Sequence, residues 1–372
     1  MNSKQFYYVQ RGTLILAVIL IMFGYTGENG VFSFLKQSPD VFFYPQLIIA
    51  FITTAGAHLF MMALGAQQLK SPKYSISKLL RLMGVLFAGI AAASFVFYIE
   101  EVSLTKVVSA FSLTHFLTTL AEVPDSFYYV LYEIIGFFIS LPVLRVIAVH
   151  AQRIEIHYLF WIQFIFMGAI PIIMFYTGIS TIHLSTPVAI TNEFFYALMG
   201  YWLSNRDFIW RITREQLMIM WLLSFCCYAI MVSTTMYQAN VLNNYEVIGG
   251  LNFSQTLQVI PTLTVWITIA TWVLNRPKLH VPKSINFVTN CYALILVAGI
   301  LLSPLQVIST ILKQIIGIWW SGLIWVLITL VISYFIIAVL RRLTFFSEFW
   351  PNLFYNDVDQ GVVDNVETNT MD

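Results

Sequence analysis

The chain has 372 residues, of which 59% are hydrophobic and 10% charged, and its formal net charge at neutral pH is +1. Soluble domains carry roughly 45–50% apolar and about 25% charged residues. One aqueous core could not hide this excess, so lipid must act as the solvent for most of the chain, and the near-neutral total charge argues against a nucleic-acid partner, which needs a concentrated basic face.

In chain order, Lys4 and Arg11 precede an apolar run from Gly12 to about Gly24. It reads as a retained first helix rather than a secretory signal, because no small-x-small cleavage site follows. Apolar windows of about 20 residues, broken by charge or turn clusters, predict helices near 12–32, 43–67, 78–99, 126–148, 157–178, 188–204, 216–238, 257–275, 285–308 and 315–341. The sixth window is short, with Glu193 near its start after Asn192, where an acid in a first turn would favourably meet the helix dipole.

Lys and Arg alternate with these windows. Lys4 and Arg11, the 70–81 loop, Arg145 and Arg153, the 206–214 loop, the 276–283 loop, and Arg341 and Arg342 fall on one side. Only Lys36, Lys106 and Lys313 of the 19 basic residues remain on the other. The expected fold class is therefore an all-α integral membrane protein, a bundle of about ten transmembrane helices with both ends in the cytoplasm. Residues 1–342 form the polytopic domain, and 343–372 an acidic cytoplasmic tail expected to be disordered. The longer outer segments are 100–125 and 239–256; within the first, 107–120 is too mixed to span and suits a helix lying at the interface.

Cys226, Cys227 and Cys291 sit in apolar runs at spacings that suit neither disulfides nor metal, and read as small buried packing residues. Pro142, Pro171, Pro261 and Pro304 are candidate kink sites. No phosphate-cradling glycine loop, His-Glu-x-x-His or Gly-x-Ser-x-Gly pattern is present, and no metal site is expected.

Several segments, in order, resemble the acyltransferase-3 family of membrane O-acyltransferases. They are Leu59-Phe60-Met61-Met62-Ala63-Leu64-Gly65; the basic start Lys78-Leu79-Leu80-Arg81; Tyr129-Val130-Leu131-Tyr132-Glu133-Ile134-Ile135-Gly136 closed by Leu141-Pro142-Val143-Leu144-Arg145; and Phe195-Tyr196-Ala197-Leu198-Met199-Gly200-Tyr201. The resemblance spans roughly residues 9 to 340 and implies ten core helices. It also implies transfer of an acyl group, such as acetyl, from cytoplasmic acyl-CoA to the hydroxyl of an envelope glycan or lipid-linked glycan, in a bacterial cell membrane. Arg11-Gly12 matches the family's start of the first helix. Where the family carries histidines this chain has Ile21-Met22-Phe23 and, after Tyr292, Ile295. It is thus similar to a degenerate member, and two readings stand. One is an O-acyltransferase with an unusual base; the other is an inactive relative serving as a binding, transport or assembly subunit in surface polysaccharide biosynthesis.

Ionisable side chains inside a membrane cost about 2.5–3.5 kcal/mol to insert and so invite a functional reading. Glu133, among Tyr128, Tyr129 and Tyr132, and His58, the one histidine well inside a predicted span, are the candidate catalytic bases. Each also suits a purely structural role as an interhelical hydrogen-bonding residue. His115 and the pair Glu100 and Glu101 mark the outer surface. Arg11, Arg81 and Arg145 are the candidate donor-binding residues, since the resemblance places basic groups against acyl-CoA phosphates and guanidinium pairs well with them. The positive-inside rule alone would also put arginines there. The bilayer is the expected surrounding, with no bound cofactor.

Overall fold

The computed structural model describes residues 3–24, 43–70, 80, 83–92, 95, 129–177, 192–204, 212–241, 257–276, 287–302 and 305–340. Among these residues there is no strand. Helices are α1 (Ser3–Gly24), α2 (Phe43–Gln68), α3 (Met83–Ala92), α4 (Tyr129–His150), α5 (153–177), α6 (Asn192–Leu203), α7 (Arg214–Val241), α8 (Val259–Leu274), α9 (Phe287–Leu302) and α10 (Gln306–Leu340). Each apolar window overlaps one of them, α1 and α10 each starting nine residues before their windows. Arg81, His115, Glu100, Glu101, the 107–120 segment and the 343–372 tail lie outside the described residues.

Parts of α2, α4, α7 and α10 are long and apolar enough to cross a membrane: Leu47–Gln68, Val130–His150, Arg214–Tyr237 and Trp320–Leu340. The chain is a helical membrane protein. The 12 described residues of α6 extend about 18 Å at 1.5 Å per residue. They are buried: Phe195, Tyr196, Ala197 and Leu198 are all in the core. By contrast α7 turns Met218, Leu222 and Phe225 outward, and α10 turns Val331 and Phe335 outward. Such apolar exterior is what a bilayer solvates and water does not. Cys226 belongs to this outward face, not to the interior expected for it, because its neighbour Cys227 takes the inward position one residue on.

The bundle is organised on α2, which packs against α1, α4, α6, α7 and α8. Lipid supplies no hydrophobic drive between helices, so close approach must come from small residues. A Cβ on Gly56 would meet Ile21 N at 2.8 Å and Ala17 O at 2.9 Å on α1. A Cβ on Gly65 would run into the backbone of Ala197 on α6, and one on Gly200 of α6 into the backbone of Met62. Gly65 and Gly200 belong to the stretches 59–65 and 195–201 of the second and sixth windows, and the fold seats one stretch on the other.

Polar groups tie the same end of several helices together. Arg145 near the end of α4 donates from Nε (3.1 Å) and Nη2 (2.8 Å) to the carbonyl of Gln68, the last residue of α2. Trp202 near the end of α6 donates to the carbonyl of Ala148 on α4 at 3.4 Å. Gln10 of α1 donates to the Ala63 carbonyl at 3.3 Å and to Gln67 Oε1, and Lys70 lies over the Phe6 ring at 5.3 Å. The starts of α1 and α5 thus meet the ends of α2, α4 and α6. Helix α5 is continuous through a π turn at Ile165–Ala169, with the Ile170 amide bonded to Ile165 O. Pro171 follows at once; its missing N–H and ring disfavour regular α hydrogen bonding one turn earlier.

Candidate functional site

Buried polar side chains gather where the middle of α2 meets the first turns of α6 and α8. His58, 3% exposed on α2, places Nδ1 3.1 Å from Glu193 Oε1 and 3.3 Å from Oε2. Glu193 and Tyr196 stand three residues apart and so share one face of α6. Tyr196 stacks on the His58 ring with centroids 4.1 Å apart and planes inclined by 16°. The pairing is physically required: an isolated carboxylate in apolar surroundings carries a prohibitive solvation penalty, and the imidazole N–H relieves it. Glu193 is in the first turn of α6, as its sequence position suggests, but its partner is a histidine 135 residues away.

The carboxylate can only accept, so Nδ1 is the donating nitrogen and Nε2 is the one turned away from Glu193. His58 Nε2 is buried and has no hydrogen-bond partner among the described residues. The Tyr196 hydroxyl and Thr262 Oγ1 of α8 interact electrostatically without closing a well-formed hydrogen bond. Beside them, at the start of α8, Gln258 donates from Nε2 to Phe51 O and, at 2.6 Å, to Thr54 Oγ1. Its Oε1 receives Tyr228 OH of α7 at 3.5 Å. Four helices therefore converge on one polar seam inside an otherwise apolar bundle.

Of the two candidate bases, His58 is in this seam, oriented by a carboxylate. Glu133 is on α4, half-buried and within electrostatic reach of Glu193, but no hydrogen bond joins it to His58. The candidate donor-binding arginines are elsewhere. Arg145 is at the far end of α2, its guanidinium committed to the Gln68 carbonyl, and Arg11 is buried on α1 beside Gln10. The positions where the resemblance would put histidines are apolar in space as well as in sequence: Ile21, Met22 and Ile295 all belong to the main hydrophobic cluster. Tyr292 spends its hydroxyl on the Leu86 carbonyl of α3 at 2.8 Å. Among the described residues no group of His, Cys, Asp and Glu is arranged to hold a metal.

Glu193 is the residue the sequence alone undervalued. Two ionisable groups inside apolar windows each need a partner, and that need was the available signal; which window supplies it was not. No known family, curated protein or solved structure matches this chain.

Proposed function

We propose that the protein is an acyltransferase-3-like membrane protein of a bacterial cell envelope that transfers an acyl group, such as acetyl, to a glycan hydroxyl, with His58 as the base and Glu193 as its positioning residue. The observation carrying this reading is the buried His58–Glu193–Tyr196 cluster, a carboxylate-oriented imidazole whose second nitrogen has no hydrogen-bond partner among the described residues. In the proposed step His58 Nε2 takes the proton of the acceptor hydroxyl as its oxygen attacks the thioester carbonyl of acyl-CoA. The C–S bond breaks, and the proton passes from Nε2 to the departing thiolate. Oriented general-base catalysis of this kind is worth about 10²–10⁴-fold in rate. Glu133, one helix away, would then hold the acceptor rather than take its proton.

The proposed topology is ten spans with both ends in the cytoplasm. The alternating basic loops favour it, as does the meeting of the starts of α1 and α5 with the ends of α2, α4 and α6. In that orientation Arg11 and Arg145 face the donor side, and Arg81 falls in the same loop set. His58 lies ten residues before Gln68, about 15 Å along α2. The second reading, an inactive relative acting in binding, transport or assembly of surface polysaccharide, is favoured by the apolar Ile21, Met22 and Ile295.

Acyl transfer to cell-surface glycan, compared among native protein, His58→Ala, Glu193→Gln and Glu133→Gln at equal membrane levels, tests the assignment. The expected result is near-complete loss in His58→Ala, a large fall in Glu193→Gln and a raised acceptor KM in Glu133→Gln. Equal acylation in all four would refute the base assignment; none in native membranes would leave the assembly-subunit reading. Reaction of a cysteine introduced at position 110 with impermeant maleimide in intact cells tests the orientation, and protection there would overturn it.

A further inference from the structure

A cavity of about 1140 Å³ opens at the end of the bundle where Lys70, Arg153 and Trp202 gather. It is walled by the Arg153–Phe164 half of α5 and by parts of α6, α7 and α8. Ile156 and Phe160 of that half face the core, the Phe160 ring 6.5 Å from that of Phe195 on α6, while Ile154, Tyr158 and Trp161 are exposed, so the cavity has a side wall one helix thick. Pockets for compact small molecules run about 300–1,000 Å³; this one suits a longer amphiphile.

Its lining is segregated. Met220, Leu263 and Ile267 are apolar and buried or half-buried, whereas Lys70, Arg153 and His157 are exposed at the mouth, and no acid lines it among the described residues. Arg153 and His157 are one turn apart on α5. His157 Nδ1 lies 2.6 Å from the Arg153 carbonyl, which it can reach only as a donor, so Nε2 is the nitrogen left to face the mouth. The nearby Glu155 is turned to its own helix start, accepting from the Gln152 amide at 2.7 Å. Helices α5 and α7 flank the opening with exposed apolar side chains, Tyr158 and Trp161 on one and Met218 and Leu222 on the other.

We infer that this cavity is a site for an anionic phospholipid, its acyl chains between α5, α7 and α8 and its phosphate held by Lys70 and Arg153. Basic pockets between membrane helices select anionic headgroups in this way. The site is separate from the His58 cluster and does not depend on acyl transfer.

Native mass spectrometry of the full chain in detergent, with equal phosphatidylglycerol and phosphatidylcholine, tests the inference. The native protein is expected to retain phosphatidylglycerol preferentially. Lys70→Ala with Arg153→Ala should lower that retention about 25-fold, since each basic side chain near an anionic headgroup is worth about fivefold. Met220→Trp, which fills the interior and leaves the charges, should expel both lipids. Arg276→Ala is the control: its guanidinium lies 4.7 Å over the Trp272 ring, outside the cavity, and retention should be unchanged. Equal retention of the two lipids by native protein would overturn the inference, a result that needs no variant to fold. So would undiminished phosphatidylglycerol in a monodisperse Met220→Trp protein. Displacement of all phosphatidylglycerol by equimolar palmitoyl-CoA would reassign the cavity to an acyl donor and overturn it likewise.

Discussion

Substituting Gly65 by alanine measures how close α2 and α6 come. A methyl group in a helix interior ordinarily gains about 0.8–1.0 kcal/mol over glycine. At Gly84 of α3 an added Cβ meets nothing within 4 Å, so Gly84→Ala should be neutral to stabilising, by up to about 1 kcal/mol. At Gly65 the same methyl collides with Ala197 main-chain atoms, which cannot rotate away, and Gly200 faces Met62 across the same crossing. Overpacking costs about 1–3 kcal/mol, more where backbones must separate; taking the upper figure less the propensity gain leaves a net loss of about 2 kcal/mol. The two alanine variants should therefore differ by about 2–3 kcal/mol, readable as reversible unfolding in mixed detergent micelles. Separation should also loosen the His58–Glu193 pair, seven residues or about 10 Å along α2, so acyl transfer should fall with stability. A Gly65→Ala protein as stable as the native chain would refute the close crossing.

A double-mutant cycle of His58→Leu and Glu193→Leu should give a coupling of at least about 0.6 kcal/mol, the average for polar pairs between membrane helices, and toward the upper value of about 1.7 kcal/mol; zero coupling would show the pair to be incidental. Each single variant should be less stable than the double, because it strands one buried polar group. Arg145→Ala should cost about 1.5–3 kcal/mol in unfolding experiments, through loss of both bonds to the Gln68 carbonyl. Arg145→Lys should cost less, as an ammonium can keep one of them. Gln258→Leu should lower stability by about 1–3 kcal/mol by leaving Phe51 O and Thr54 with fewer partners, without changing surface expression.

The membrane character and the helix positions were legible because an apolar run of the right length has few other uses, and each window does overlap a helix. Burial was less legible. Nothing in the composition of 188–204 says that α6 is held inside the bundle. His58 could be picked out because ionisable groups are conspicuous in apolar windows. Its bond to Glu193 could not, because pairing at a separation of 135 residues is decided by the crossing of α2 and α6. That crossing depends on Gly65 and Gly200, visible in the sequence as members of two separate stretches but not as parts of one contact. In sequence Arg145 suits a phosphate ligand or a topological marker; in the fold it caps the carbonyl end of α2.

The π turn at Ile165–Ala169 accommodates one residue more than an α-helix would over the same rise. Each residue of an α-helix advances by about 100°, so the turn sets the azimuth of everything before it. Removing a single residue from this turn would leave α5 as oily and nearly as long. It would, however, swing Arg153, His157 and Phe160 about a quarter-turn away from α6 and α7. Chains alike in hydropathy yet differing by one residue here would present different walls to whatever lodges beside them, and sequence length at this point is a feature to inspect before transferring any assignment between them.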